Sequence, residues 1–228
     1  MRTTEGLLRQ IQFLGQGATA GWIDCPVSAI PPPGKHLLGW AYDEVEAPQA
    51  TLLFAAQAGA EGFLAAPPLP PTWTPGTRLT LYGPLGRGFD LPAMARRLAL
   101  AALGESMARL LPLVQAALAR GAAVALYAEQ PLPLLPAAVE VHPLKALPEA
   151  LAWADYLALD LPLASIPSLR QRLGLKETDP LPRPAQALVR TEMPCGGLGE
   201  CGVCALSTRR TWKLVCQDGP VFDLSELI

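Results

Sequence analysis

The 228-residue chain is poor in aromatic residues, with five Trp, five Phe and four Tyr, and it has only two His. Half of it is apolar, yet it has no long apolar run. The apolar stretches are broken by 25 Pro and 20 Gly, whereas a membrane span needs about 20 such residues in succession. No transmembrane helix is expected. Charge is scarce and balanced, 18 Lys+Arg against 20 Asp+Glu. No basic stripe is available to neutralise a run of phosphates, so nucleic acid is not an expected partner. The start, Met1-Arg2-Thr3-Thr4-Glu5-Gly6, lacks an apolar segment followed by a small-residue cleavage site, and a cytoplasmic address is expected. Cysteine is also sparse until the end. Cys25, between Asp24 and Pro26, reads as a small buried apolar residue. The other four of the five Cys lie in the last 34 residues. That is a poor disulfide framework and a better metal site.

The length suits one large domain or two to three small ones. Residues 1–92 carry short apolar stretches, among them Leu7–Phe13, His36–Tyr42, Ala50–Ala56, Gly62–Ala66 and Arg78–Tyr82, separated by turn residues. They predict an antiparallel β-barrel. Pro31-Pro32-Pro33 and Pro67-Pro68-Leu69-Pro70-Pro71 fix φ and lack donors, so they belong in loops or at strand edges. Residues 93–184 change pattern. Leu98–Leu103 is a continuous apolar run, Leu110, Leu111, Val114 and Leu118 recur at helical spacing, and Ala123–Ala128 is a second run. Strands at Ala138–Val141 and Asp155–Leu159, with a helix over Leu147–Ala154, extend this βαβ unit into a small parallel sheet. A last helix is expected over Ile166–Leu173, then a Pro-rich linker leads to a Cys-rich module at residues 185–228. The fold class is therefore α+β multidomain: barrel, central α/β domain, C-terminal module.

The module reads Met193-Pro194-Cys195-Gly196-Gly197-Leu198-Gly199-Glu200-Cys201-Gly202-Val203-Cys204, with Cys216 further on. The spacing is C-x5-C-x2-C-x11-C. Glycines between the thiols let the backbone take positive φ and turn N–H groups toward a bulky anionic core. Plant-type [2Fe–2S] ligand sets use C-x4-C-x2-C with a distant fourth Cys; here the first gap is one residue longer. The competing reading is structural zinc, although four-Cys zinc sites usually pair two short knuckles and only one is present. Arg209, Arg210 and Lys213, between the third and fourth Cys, read either as a solvated hairpin tip or as cations offsetting the cluster and meeting an acidic partner. Gly104-Glu105-Ser106 resembles a weakened nucleophile elbow. No Asp lies between Ser106 and His142, so Ser106 reads better as a helix cap. His36 and His142 read as core-edge or surface residues.

The string Glu192-Met193-Pro194-Cys195-Gly196, then Cys201-Gly202-Val203-Cys204, then Val215-Cys216-Gln217-Asp218-Gly219-Pro220-Val221-Phe222 resembles the electron transfer subunit of the two-subunit dihydroorotate dehydrogenases (type B). A second segment, Gly83-Pro84-Leu85-Gly86-Arg87-Gly88-Phe89, is similar to the turn that closes that family's flavin-binding barrel. The resemblance implies a ferredoxin reductase-like barrel, a nucleotide-binding-like α/β domain and a [2Fe–2S] module ligated by Cys195, Cys201, Cys204 and Cys216. It implies FAD held around Gly83, Pro84, Leu85, Gly86 and Gly88. It also implies a catalytic flavoprotein subunit as partner, and electron relay in pyrimidine biosynthesis. The chain departs from the family in three places. The Arg-x-x-Ser that binds flavin is replaced by Ala50-Thr51-Leu52-Leu53-Phe54-Ala55. One glycine, Gly104, remains of the Gly-rich turn used for nicotinamide nucleotides, with Glu105 beside it to repel a pyrophosphate. The Cys-Gly-Pro at the end of that domain is Asp160-Leu161-Pro162. Little or no NAD binding is expected. The alternative function is a cofactor-poor structural or assembly subunit with a cluster or zinc as staple.

Overall fold

The computed structural model describes residues 2–14, 19–42, 49–104, 106–129 and 135–228; Glu105, singled out above, lies outside them. Six strands, β1 (Arg2–Phe13), β2 (Thr19–Asp24), β3 (His36–Ala41), β4 (Thr51–Ala58), β5 (Gly62–Ala65) and β6 (Arg78–Leu85), form the first unit. They pair antiparallel in the order β1-β2-β5-β4-β3-β6, and β6 returns to β1. The closed barrel leaves no free sheet edge. Alternation fills it: Leu79 and Leu81 of β6 point inward with Leu8, Ile23, Leu37, Leu53 and Phe63, while Arg78 is exposed. Both Pro-rich runs lie outside the strands, as their missing donors require.

His36 is 2 % exposed, its Nδ1 has no hydrogen-bond partner, and its ring tilts against Phe54 with centroids 5.6 Å apart. Burial brings its pKa down to about 4. The unfolded chain would take up the proton near 6.5, so the folded state loses stability as pH falls from that value toward 4. The loss is about 2 kcal/mol by pH 5. His36→Phe is expected to flatten the fall in melting temperature between pH 7 and pH 5. An equal fall in both proteins would show that another group governs the acid limb.

The second unit contains β7 (Arg97–Ala102), α1 (Leu111–Leu118), β8 (Ala123–Ala128), β9 (Val139–Pro143), α2 (Leu147–Trp153), β10 (Tyr156–Pro162), α3 (Leu169–Arg172) and β11 (Ala185–Arg190). The chain then continues through β12 (Ala205–Ser207), β13 (Trp212–Leu214), α4 (Val215–Asp218), β14 (Val221–Asp223) and α5 (Leu224–Leu227). The sheet order is β14-β11-β10-β7-β8-β9, parallel except for β14. Its apolar runs are continuous because both faces are covered. Leu98 and Leu100 meet Leu113, Val114 and Ala117 of α1, whereas Ala99 and Ala101 meet Leu147, Ala150 and Leu151 of α2.

The structure differs from the sequence reading in two elements. The helix expected over Ile166–Leu173 begins as a 3-10 segment, Leu163–Ser168, with Pro167 inside it, and is α-helical only from Leu169 to Arg172 (α3); a proline supplies no N–H for an α-helical bond. The segment boundary drawn at 184/185 falls at the start of β11, which pairs with β10, and β14 then pairs with β11. Ala187, Leu188, Val221 and Phe222 are all fully buried. Residues 185–228 are therefore tied into the central sheet at both ends, and the Cys-rich stretch is an excursion between β11 and β14.

Candidate functional site

The excursion leaves β11 at Arg190 and turns back through Pro194–Gly197, where Gly196 donates its N–H to Met193 O at 2.9 Å. Gly196, Gly197, Gly199 and Gly202 all take positive φ, 61°, 82°, 80° and 69°, as the sequence reading of this loop requires. At Gly199 the need is twofold, because a Cβ would also stand 3.0 Å from Gln217 Cγ. A short hairpin, β12 and β13, follows; its tip closes with Thr208 N–H donating to Thr211 O at 2.9 Å. Arg209 and Arg210 occupy that tip and are exposed, while Lys213 pairs with Glu226 at 2.6 Å. The tip is thus a solvated hairpin with two exposed cations, and Lys213 has an acidic partner within the chain.

The structure brings the four predicted thiols together as two pairs. Cys204 is buried and its Sγ lies 3.3 Å from that of Cys216, which sits on the single turn α4. Val215 N–H donates to Cys204 O at 3.0 Å, and the Asp218 carboxylate accepts from Leu214 N–H at 2.8 Å, fixing that turn. Cys195 and Cys201 form the second pair. A hydrogen bond from the Cys201 thiol, with N–H groups of Gly199, Cys201 and Glu200, brings Cys195 down to about 6. Burial first, then the hydrogen bond and charge of Cys204, push Cys216 up to about 12. Among the described residues no three His, Cys, Asp or Glu side chains are gathered about a single metal-ion position. The arrangement is two pairs of sulfurs, Cys204–Cys216 and Cys195–Cys201.

The Asp218–Phe222 string that follows the last Cys is an anchor. Val221 and Phe222 are fully buried, and Val189 N–H donates to Pro220 O at 2.9 Å. The predicted flavin turn meets this anchor directly. Arg87 N–H donates to Gly219 O, Val221 N–H reaches back to Arg87 O at 3.4 Å, and the Arg87 guanidinium bonds Asp223 at 3.0 Å. Asp223 also accepts from Gln186 Nε2 at 2.9 Å, and Gln186 Oε1 accepts from Tyr156 Oη and from Asp90 N–H. Gly83, Pro84, Leu85, Gly86 and Gly88 thus close the barrel and carry the C-terminal anchor.

A cleft of about 560 Å³ opens between barrel and sheet, next to Met193, with Thr51, Leu52, Phe54, Arg109 and Arg190 on its walls; none of Gly83–Gly88 lines it. Its size is that of a small-molecule site. Its two guanidiniums are already engaged. Asp160 is fully buried and accepts from Arg109 Nη1 at 3.2 Å and from Arg190 Nε. Arg109 also donates to Pro67 O, and Arg190 to Leu103 O at 2.9 Å. Where the resemblance places a flavin-binding Arg and Ser, β4 offers Thr51, Leu52 and Phe54. This set does not fit the phosphates of FAD or NAD in the family's manner. The sequence reading missed Arg109 and Arg190. The available signal was Asp160 itself, a charge inside the apolar strand Tyr-Leu-Ala-Leu-Asp-Leu-Pro, which has to find a partner when buried. Ser106 is not the cap: Met107 and Leu110 hold the N-cap positions of the 3-10 turn and of α1 without a side-chain cap bond, and Ser106 Oγ instead accepts from Ala108 N–H at 3.2 Å just before the turn.

The barrel, the sheet and the paired thiols together define an electron-transfer reductase-like fold with a C-terminal iron–sulfur segment. Residues 191–228 match the model of the iron-sulfur cluster binding domain of dihydroorotate dehydrogenase B. This match and the fold bear out the resemblance to that enzyme's electron transfer subunits. The fold is similar to that of an NADH-dependent reduced ferredoxin-NADP oxidoreductase, with TM-score 0.75, 17% identity, and 98% of this chain and 89% of that chain covered. It is also similar to phthalate dioxygenase reductase, with TM-score 0.55, 12% identity, and 84% and 70% covered. A stretch of 48 residues is 42% identical to sulfhydrogenase 1 subunit gamma of Pyrococcus furiosus, spanning 20% of this chain and 16% of that protein. No helix among the described residues is long and apolar enough to cross a membrane.

Proposed function

We propose that this chain is the electron transfer subunit of a dihydroorotate dehydrogenase-type enzyme in pyrimidine biosynthesis, holding a [2Fe–2S] cluster on Cys195, Cys201, Cys204 and Cys216. The observation that carries the reading is the pairing of Cys204 with Cys216, their Sγ atoms 3.3 Å apart, beside a loop whose four glycines, Gly196, Gly197, Gly199 and Gly202, all take positive φ and which carries Cys195 and Cys201. A single zinc would draw all four sulfurs to within about 2.3 Å of one point; a diiron core takes two sulfurs at each metal. When bound, such a cluster exchanges one electron at a time. The chain's part is to hold it at a fixed place and depth. Cys204 is buried at the sheet side and Cys201 is exposed, so one edge faces outward. Leu198 and Val203, which flank Cys201, are 69% and 51% exposed, and Trp212 is 72% exposed. Exposed apolar side chains beside a redox edge suit docking of a catalytic flavoprotein subunit.

The test is anaerobic purification with metal and sulfide analysis. About two irons and two acid-labile sulfides per chain are expected, with a paramagnetic signal on one-electron reduction and oxidation of the reduced protein by the catalytic flavoprotein. One zinc and no sulfide would overturn the cluster. A sound cluster whose potential lies far outside the flavoprotein's range would favour the assembly-subunit alternative.

A further inference from the structure

The crevice around Asp160 is where this kind of sheet takes its ligands. The chain runs from β7 to β8 and β9 on one side and returns to β10 and β11 on the other, so the strand order reverses between β7 and β10. Open α/β sheets bind ligands outside the carboxyl ends of their strands at such a point. Three strand ends meet here. Gly104, just beyond β7, has φ 141°, and the position of a Cβ on it lies 2.5 Å from Arg190 Nη2. The guanidinium of Arg190, at the end of β11, therefore rests on the turn that a nucleotide would approach, held by Leu103 O and by Asp160 at the end of β10. Arg109, from the 3-10 turn after β7, reaches the other oxygen of Asp160 and the barrel carbonyl of Pro67. Two features of the sequence that looked like separate losses, the single glycine at 104 and Asp in place of Cys at 160, are joined by one side chain.

We infer that Asp160 is a built-in anion: between the guanidiniums of Arg109 and Arg190 its carboxylate takes the place of a ligand's phosphate, so that the crevice refuses phosphate-bearing dinucleotides. The chemistry is complementary. Two guanidinium groups offer the forked donors that suit phosphate, and the protein supplies its own partner for them. Arg190 also covers the backbone of the turn, so a ligand would have to displace a doubly bonded side chain as well as compete with a buried carboxylate. The inference deepens the relay reading and rests on it only for its consequence, that electrons enter and leave at protein surfaces beside the cluster.

Removing the internal charge is expected to create an external anion site, because one buried and one partly buried guanidinium, Arg109 and Arg190, left without a counter-charge are strongly unfavourable. Melting temperatures of the wild-type protein, Asp160→Ala and Asp160→Asn are measured with inorganic pyrophosphate and with chloride at matched ionic strength. Pyrophosphate is expected to raise both variants by about 5 °C or more and the wild type not at all. Equilibrium dialysis of the wild type against NADH is expected to show no binding. The same shift in all three proteins, no shift in any, or micromolar NADH binding by the wild type would overturn the inference. If Asp160→Ala fails to fold, Asp160→Asn, whose amide oxygen still accepts from Arg109, supplies the comparison. Iron content of the same preparations reports on the cluster separately.

Discussion

Each of Cys195→Ser, Cys201→Ser, Cys204→Ser and Cys216→Ser is expected to lose nearly all bound iron and the visible absorbance that goes with it. A serine hydroxyl stays protonated near neutral pH and is a harder donor than the thiolate that iron–sulfur cores require. Losing an outer-shell partner already costs about 10–100-fold in metal affinity, and loss of a ligand exceeds that. The four variants separate in their metal-free stability. Cys204 is 1% exposed, so its replacement buries a hydroxyl at a cost of about 1–3 kcal/mol. Cys201 is exposed, and its replacement leaves the apo fold as stable as before. Cys25 is the control. It is buried in the barrel, its thiol pushed up to about 11 by burial and then by the Asp24 charge, and Cys25→Ala is expected to keep all the iron. Unchanged iron in all four serine variants would remove the ligand assignment.

The architecture was legible where one physical signal dominated. Continuous apolar runs bounded by turns marked Ala123–Ala128 to the residue, and helical spacing gave α1 within one residue of its start. The thiol cluster was legible because four sulfurs and four glycines in a short stretch have few other uses. Contacts between distant segments were not legible. β14 is three residues long, Val221–Asp223, too short to carry periodicity, and its place beside β11 follows from burial of Val221 and Phe222 against two units at once. The Arg109–Asp160–Arg190 network joins three strand ends that lie up to 87 residues apart, the separation of Leu103 from Arg190. One charged residue in an apolar strand announces that partners exist without naming them. The local rules were broken at Gly104 and Asp160, and the structure places the compensating side chain on both.

Gly86→Ala is expected to destabilise the protein by about 2–5 kcal/mol, lowering its melting temperature by about 5–15 °C for a chain of this size. Two costs combine. Gly86 has φ 79°, a conformation that a Cβ disfavours, and the added methyl would stand 2.6 Å from Pro220 Cδ and 2.7 Å from Gly219 O. Neither neighbour can swing aside, since Gly219 O accepts from Arg87 N–H and Pro220 O from Val189 N–H. Gly76→Ala isolates the first cost. Gly76 has φ 96°, and nothing lies within 4 Å of its Cβ position, so only the backbone penalty of about 1–2 kcal/mol remains. The difference between the two melting temperatures measures the contact between the barrel turn and the C-terminal anchor; equal values would mean that the contact contributes nothing. That contact bears on the cluster, because Gly219 N–H donates to Val215 O at 3.1 Å and so ties the anchor to the turn that carries Cys216. Pushing Pro220 away from Gly86 therefore strains the Cys204–Cys216 pair, and Gly86→Ala is expected to release iron at a lower temperature than Gly76→Ala does.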